Sequence, residues 1–266
     1  MQRGIAILVL LSVTFCVTGL ASALAGPVTA LEDAGLVGPV YIIVERSYWL
    51  DLDEETPAEG SLYYKSMRVF DRNGNITESF KQGSSDDTEK KTTMEYDENG
   101  YLREMMSSSL DGIVKGRSVG EYDAERNLST IKVYDGDGVL QGMGEVIYDD
   151  RGILVETRTF TVDGELVGRV VYRYDEAGRQ VGQETYERSD LVETTVREFA
   201  ANGEVARAES YRPDGTQSFC SESTYALVYD DVGNWVRRET TSIDCLEGRS
   251  REEMMSVTVR DITYHE

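Results

Sequence analysis

The sequence predicts an all-β fold, an elongated antiparallel β-meander that forms a single twisted or curled sheet. An aromatic residue recurs every 26 residues, turn sequences containing Gly separate the segments, and the segments alternate between apolar and polar residues. No linker divides the chain. We therefore expect a single β-repeat domain over residues 26–266, with regular repeats over about residues 62–264.

The first repeat series consists of aromatic residues spaced by 26 positions, at Phe70, Tyr96, Tyr122, Tyr148 and Tyr174. Asp follows each of them, and Gly stands four residues after four of them, at Gly74, Gly100, Gly152 and Gly178. The unit at Tyr122 has Arg126 in that place. A second series lies about halfway between, at Tyr134, Phe160, Tyr186 and Tyr211. The unit is therefore 12 to 14 residues long, and two units make one period.

Each unit is predicted to be a turn followed by a strand. Asp and Asn accept local backbone hydrogen bonds and Gly adopts positive φ, so Asp-x-x-Gly and Asn-Gly are typical of tight hairpins. Between turns the pattern has period two, with Val170, Tyr172 and Tyr174 on one face. Because successive turns fall at opposite ends, we expect about a dozen strands and the five rings of the first series in register at one end.

An apolar residue also stands two positions after most turn glycines, or at the equivalent position. The members are Ile76, Leu102, Leu128, Leu140, Leu154, Leu166, Val205 and Trp235. Such residues would stack from strand to strand with the aromatic rings. We therefore interpret the rings, the glycines and Trp235 as structural residues of the repeat.

The Tyr-Asp-x-x-Gly-x-Leu units resemble the YD repeats of the RHS type, found in bacterial secreted and surface proteins. The segment 229–235 followed by 260–264 is similar to the C-terminal unit of small secreted proteins of this kind, and the resemblance covers roughly residues 40–264. In large RHS proteins such repeats build a spiral β shell around a toxin, but this chain is too short for that shell. It resembles less closely the MORN-variant repeats of antitoxin-like proteins.

Residues 1–25 have the features of a secretory signal peptide. Arg3 precedes an apolar stretch around Ile5–Leu11, and the small residues near Ala25 suit cleavage there. Cys16 leaves a lipid anchor as an alternative, although the residues before it lack the usual small side chains. We therefore expect a bacterial protein that is secreted or periplasmic, with no membrane span after cleavage.

The net charge and the single His limit the classes of partner and of site that are expected. Removing residues 1–25 removes Arg3, so 27 Lys and Arg fall to 26 against 49 Asp and Glu, a net charge of −23. Nucleic acids and anionic membrane surfaces need a basic patch, so neither is expected as a partner. His265 is the single His, and it is next to the last residue. A catalytic Ser/His/Asp triad and a His- and Cys-based zinc site are therefore disfavoured.

These observations predict a non-catalytic binding module without a cofactor, whose partner is an envelope or extracellular protein or a glycan. A structural envelope component is the alternative. Calcium binding by Asp135, Asp137, Asp149 and Asp150, and a carbohydrate-active site built from paired carboxylates, are less favoured.

Cys220 and Cys245 are the two cysteines that remain after signal cleavage. The turn Tyr229–Gly233 lies almost midway between them, so the two residues should face each other on the arms of one hairpin. We expect a disulfide that locks the last hairpin.

Overall fold

Sixteen antiparallel strands close into one barrel in the computed structural model of the chain. The structure describes residues 30–50, 62–83, 90–248 and 253–266. The predicted signal peptide, its cleavage site near Ala25 and Cys16 lie outside the described residues. Within those four ranges, no helix is both long enough and apolar enough to cross a membrane.

The strands follow one another around the barrel in chain order. A short helix, α1 (Ala30–Asp33), precedes them. The strands are β1 (Val40–Leu50), β2 (Leu62–Phe70), β3 (Ile76–Gly83), β4 (Lys90–Tyr96), β5 (Leu102–Ser109), β6 (Val114–Asp123), β7 (Leu128–Asp135), β8 (Leu140–Tyr148), β9 (Leu154–Phe160), β10 (Leu166–Tyr174), β11 (Gln180–Glu187), β12 (Asp190–Phe199), β13 (Val205–Tyr211), β14 (Gln217–Tyr229), β15 (Trp235–Asp244) and β16 (Glu253–Tyr264).

The closed barrel shows that the prediction of an open, elongated meander was wrong. β16 pairs with β1 from Val40↔Tyr264 to Leu50↔Met255, so the two edges of the expected sheet are hydrogen-bonded to each other. Neighbouring strands are rotated relative to one another, and a sheet of sixteen strands therefore curls far enough for its edges to meet. Closure also removes the unpaired edge groups that an open sheet exposes.

The Asp and Gly of each repeat form a tight turn, of which the turn after β8 is representative. The Asp149 carboxylate accepts hydrogen bonds from the N–H groups of Arg151 and Ile153, each at 2.9 Å. The Gly152 N–H donates to the Asp149 carbonyl at 2.9 Å, and Gly152 has a φ of 78°. Only glycine adopts that backbone conformation without strain. The same positive φ occurs at Gly74, Gly100 and Gly178.

The apolar residue after each turn begins a strand. This holds for all eight of the positions identified in the sequence, from Ile76 of β3 to Trp235 of β15. In the turn after Tyr122, where Arg126 occupies the expected Gly position, the next residue, Asn127, has the positive φ of 49°. Asn tolerates this conformation better than most residues, so the chain can still reverse its direction here without glycine.

The five rings of the first series lie at one end of the barrel, which we call the closed end. They stand at or next to the last residues of β2, β4, β6, β8 and β10, and alternate strands of an antiparallel barrel finish at the same end. Phe70 and Tyr148 are buried, and Tyr96, Tyr122 and Tyr174 pack against the same apolar cluster. This cluster also contains Ala30 and Leu36 from the segment before β1, extends to β10 and packs against Ile262 and Tyr264 of β16.

Asn234 ties the segment before β1 to the closed end. Its side chain is 1% exposed, and its Oδ1 accepts a hydrogen bond from the Val37 N–H at 2.7 Å. Its Nδ2 donates to the Val37 carbonyl at 2.8 Å and to the Tyr264 hydroxyl at 2.9 Å. One side chain therefore joins the N-terminal segment, the turn after β14 and the end of β16.

Alternate residues of each strand point into and out of the barrel. On β1, Ile43 and Ser47 are buried on the inner face, whereas Arg46 between them pairs with Asp261 on the outer face. Many inner positions carry short hydroxyl side chains, at Ser47, Ser66, Ser118, Ser129, Thr157, Thr159, Thr195, Ser210 and Thr258. The interior is therefore polar over much of its length.

Candidate functional site

A cavity of about 460 Å³ lies inside the barrel toward the end opposite the closed end, and we call it the lumen cavity. On β15 its wall is formed by every second residue, Arg238, Thr240 and Ser242, which shows that one face of the strand lines it. The other lining residues are Glu45, Ser47, Trp49, Tyr63, Tyr64, Ser223, Tyr225, Met254, Ser256 and Thr258. The cavity thus combines aromatic rings, hydroxyl groups and two charged groups.

A stacked aromatic pair forms the mouth of the cavity. The rings of Trp49 and Tyr63 have centroids 4.2 Å apart and planes 19° apart, and Trp49 is 48% exposed. The pairing of β1 with β2 shifts register between Ser47 and Tyr48. Such a bulge re-aims side chains, and it allows two consecutive residues, Tyr63 and Tyr64, to line the cavity together.

Hydroxyl groups form most of the polar wall. Ser47 and Thr258 share a hydrogen bond of 2.9 Å, as do Ser223 and Ser242. Because a hydroxyl is one donor and two acceptors, each pair keeps hydrogen-bonding capacity for a further polar group. The wall therefore suits a ligand rich in donors and acceptors.

Glu45 is the centre of a buried ion network at the inner side of the cavity. Its Oε1 accepts a hydrogen bond from Arg260 Nε at 2.8 Å, and its Oε2 accepts from Arg68 Nη2 at 2.8 Å and from Ser66 at 3.3 Å. The side chains of Glu45 and Arg260 are 14% and 8% exposed. Burial raises the pKa of the Glu45 carboxyl, but Arg68 and Arg260 lower it by more, so that the pKa lies below its ordinary value.

Two guanidinium groups pack against the ring of Trp235. The Arg260 guanidinium lies 3.3 Å from the centre of its ring and the Arg238 guanidinium 4.7 Å. Arg238 Nη1 also donates to Glu204 at 3.2 Å, whereas the buried Arg238 Nε has no hydrogen-bond partner among the described residues. The structure therefore gives Trp235 cation contacts in addition to the structural role expected from its place in the repeat.

The remaining predicted site residues lie elsewhere. The rings and glycines of the first series are at the closed end, away from the lumen cavity. Cys220 and Cys245 are joined by a disulfide with Cα atoms 5.0 Å apart, next to the pair Ser221↔Asp244 of β14 and β15. The bridge links two neighbouring strands and does not line the cavity.

Two of the aspartates considered for calcium bind the backbone of their own turns. Asp135 Oδ1 accepts hydrogen bonds from the N–H groups of Asp137 and Val139 at 3.0 and 2.9 Å, and Asp149 binds its turn in the same way. In the part of the chain that the structure describes, no three His, Cys, Asp or Glu residues converge on a possible metal position.

The lumen cavity and its ion network were not predicted from the sequence. Within Val40–Leu50, Glu45 interrupts a run of apolar residues and shares a face with Ile43 and Trp49. A charged residue on the inner face of a strand is a usable signal, because a charge is rarely buried without a partner. Its partners, Arg68 and Arg260, could not be assigned from spacing.

No protein-family model matches the chain, and no curated protein matches its sequence. Among solved structures, the chain is similar to a porin-like protein from Bacteroides uniformis, with a TM-score of 0.54 and 10% identity over 85% of this chain and 99% of that one. A protein of unknown function from Bacteroides fragilis has 11% identity over 51% of this chain and 91% of its own, but a TM-score of only 0.25. At such identities the first likeness establishes the fold and nothing more.

These findings correct the resemblance to YD repeats of the RHS type. The chain is similar to a closed barrel, whereas RHS shells are different folds, and no repeat family matches. The Tyr-Asp-x-x-Gly sequence instead forms a tight hairpin turn. The Asp carboxylate accepts hydrogen bonds from two N–H groups of the turn, and Gly adopts the positive φ. Any antiparallel sheet with tight turns at one end can use it.

Proposed function

We propose that this protein is a non-catalytic component of the bacterial cell envelope that is exported and binds a small ligand in its lumen cavity. The observation that supports this proposal most is the lumen cavity. Its volume of about 460 Å³ falls within the range of roughly 300–1,000 Å³ typical of ligand pockets, and barrel mouths are common places for them. The likeness to a porin-like protein supports a place in the envelope.

The outer face of the barrel supports an aqueous rather than a lipid environment. Oppositely charged side chains pair across neighbouring strands around most of the barrel. The pairs are Arg46–Asp261, Lys91–Glu78, Arg117–Glu104, Arg158–Glu145, Arg173–Glu184 and Arg207–Glu222. A barrel embedded in a bilayer presents an apolar band to the lipid, where each Arg or Lys costs about 2–4 kcal/mol at the midplane. We therefore propose that the barrel lies in water on the outer side of the cytoplasmic membrane.

Two features support export, and two support binding rather than catalysis. The signal peptide predicted for residues 1–25 and the Cys220–Cys245 disulfide both fit an oxidising compartment. Both oxygens of Glu45 are occupied by hydrogen bonds, and His265 packs against Tyr41 near the chain end, with ring centroids 4.8 Å apart. The Glu45 carboxylate is therefore engaged by its arginine partners, and His265 does not line the cavity.

The proposal is tested by blocking the cavity. Purified residues 26–266 are screened by thermal shift and calorimetry against neutral sugars, acidic sugars, amino acids and aromatic acids. Thr240→Trp fills the cavity from the inner face of β15 and should abolish binding, whereas Thr241→Trp adds the same ring to the outer face and should not. Ligand binding in the cavity is contradicted if no compound of the panel binds. It is also contradicted if a compound binds Thr240→Trp as tightly as the wild type. Recovery of the protein from the cytoplasm contradicts export.

A further inference from the structure

We infer that the ligand of the lumen cavity is an acidic carbohydrate, which packs a sugar ring on the Trp49–Tyr63 pair and places a carboxylate beside Arg238. This inference rests on the proposed ligand-binding function. It follows from three properties of the cavity wall, which are the exposed aromatic face, the density of hydroxyl groups and the charge balance around Arg238.

The stacked rings of Trp49 and Tyr63 present a flat apolar surface at the mouth. Trp49 remains 48% exposed although its ring already packs on Tyr63, so a large aromatic area stays open to a ligand. A sugar ring has one face of C–H groups that packs on such a surface while its hydroxyls point to the sides. The pair is therefore suited to a pyranose ring at the entrance.

The wall beyond the rings matches the hydroxyl groups of a carbohydrate. Thr240 and Ser256 lie directly opposite each other on β15 and β16, and both line the cavity. The Ser223–Ser242 pair lies beside them and retains acceptor capacity. A plain aromatic acid would leave these polar groups facing apolar atoms, which is unfavourable because they lose their hydrogen bonds to water. A ligand with many hydroxyls avoids that cost.

The charge balance selects an anion. The ion pairs behind the cavity join three guanidiniums, those of Arg68, Arg238 and Arg260, to two carboxylates, those of Glu45 and Glu204. The whole chain has a net charge of −22, so a local excess of positive charge on an inner wall is unusual for this protein. It favours a negatively charged group at this point of the cavity.

Arg238 supplies the donor for that group. Its side chain lines the cavity and is 30% exposed, so a ligand can reach the guanidinium. The Nε atom is buried, so the donors that a ligand meets are at the end of the guanidinium. Nη1 donates one N–H to Glu204 and keeps a second, so Nη1 and Nη2 together can bind a carboxylate with two parallel hydrogen bonds.

The test compares acids with their methyl esters by calorimetry. The probes are digalacturonate, cellobiouronic acid and sialyllactose, each against its ester, which keeps the rings and removes the charge. At least one acid should bind tenfold or more tightly than its ester. Arg238→Gln should remove this preference and leave the affinity for the ester within twofold, whereas Trp49→Leu should weaken both. Arg237→Gln is the matched control, since Arg237 pairs with Glu239 on the outer face of the same strand.

The outcomes separate this inference from the proposed function. Equal affinities for acid and ester, or binding of neutral sugars or aromatic acids instead, overturn the inference while ligand binding stands. If no compound binds, both fail. Arg238→Lys keeps the charge without the guanidinium edge and provides a second variant if Arg238→Gln melts early. Full retention of the acid preference in Arg238→Lys would also contradict the assigned geometry.

Discussion

Glu45→Gln should strongly destabilise the barrel, because it removes the charge that two buried arginines share. The substitution keeps the shape of the side chain but replaces one carboxylate oxygen with an amide NH₂. A donor would then face a guanidinium donor of Arg68 or Arg260, each of which now binds Glu45 at 2.8 Å. The arginine that loses its acceptor stays largely out of water, since the Arg68 and Arg260 side chains are 21% and 8% exposed.

The expected loss follows from these contacts. A hydrogen bond to a charged group contributes about 1.5–3 kcal/mol, and removing one partner of a buried ion pair typically costs about 3–5 kcal/mol. We expect Glu45→Gln to lower the free energy of unfolding by about 3–5 kcal/mol at pH 7. Glu78→Gln is the matched control. Its pair with Lys91 has side chains 41% and 42% exposed, so the loss should stay below about 1 kcal/mol.

The assay is equilibrium unfolding in urea, followed by circular dichroism and by tryptophan fluorescence, to which Trp235, 3.3 Å from the Arg260 guanidinium, contributes. A loss for Glu45→Gln no larger than that for Glu78→Gln would refute the reasoning. It would mean that water reaches the network, or that the arginines find other acceptors.

The stability difference between the wild type and Glu45→Gln should depend on pH. Arg68 and Arg260 hold the pKa of Glu45 below its ordinary value of 4.5, despite the opposing effect of burial. The stabilisation from the ionised carboxylate is therefore complete above the unfolded-state pKa and is lost as the pH falls through the lower folded-state pKa. The stability gap between wild type and Glu45→Gln should be constant from pH 7 to about pH 5 and should shrink below about pH 4.5. A gap that widens on acidification contradicts this assignment.

Three further predictions concern the closed end and the last hairpin. Tyr148→Ala should cost about 2–4 kcal/mol in urea unfolding, since Tyr148 is 4% exposed among packed rings; a loss below about 1 kcal/mol would show that the cluster collapses into the gap. Asn234→Ala should cost about 2–4 kcal/mol and should speed proteolysis before β1, because the N–H and C=O of Val37 and the Tyr264 hydroxyl lose the buried side chain that binds them; unchanged proteolysis would show that Asn234 does not hold this segment. Replacing Cys220 and Cys245 by Ser should cost roughly 3–4 kcal/mol for a sequence separation of 25, and non-reducing mass spectrometry of the exported protein should find no free thiol.

Local structure was largely predictable from the sequence. Asp and Gly at fixed spacing specify a turn whose hydrogen bonds stay within five residues, as Asp149 and Ile153 show. The 26-residue period placed Tyr148 and its four counterparts at one end, because each period contains two turns. The opposed cysteines followed from their equal distance to the turn after β14. Each of these inferences needs only neighbours in the chain or in one hairpin.

The candidate site was not predictable in the same way. Glu45 binds Arg68 and Arg260, which are 23 and 215 residues away along the chain. Arg68 lies on the next strand, β2, but Arg260 reaches Glu45 only because β16 returns to β1, so no pattern in the local sequence could have paired Arg260 with Glu45. The register shift that brings Tyr63 beside Trp49 depends likewise on how β1 and β2 pair.

The sequence by itself determined the antiparallel strands, the tight turns and the end at which the aromatic rings collect, because short-range hydrogen bonding and period-two alternation act between chain neighbours. Tertiary structure alone decided that the sheet is a barrel. The twist of sixteen strands accumulates until β1 meets β16, and the edge groups that an open meander would leave to water pair with each other. Closure in turn creates an inside, and with it the lumen cavity, the buried ion network and the difference between a charged outer face and a hydroxyl-lined inner one.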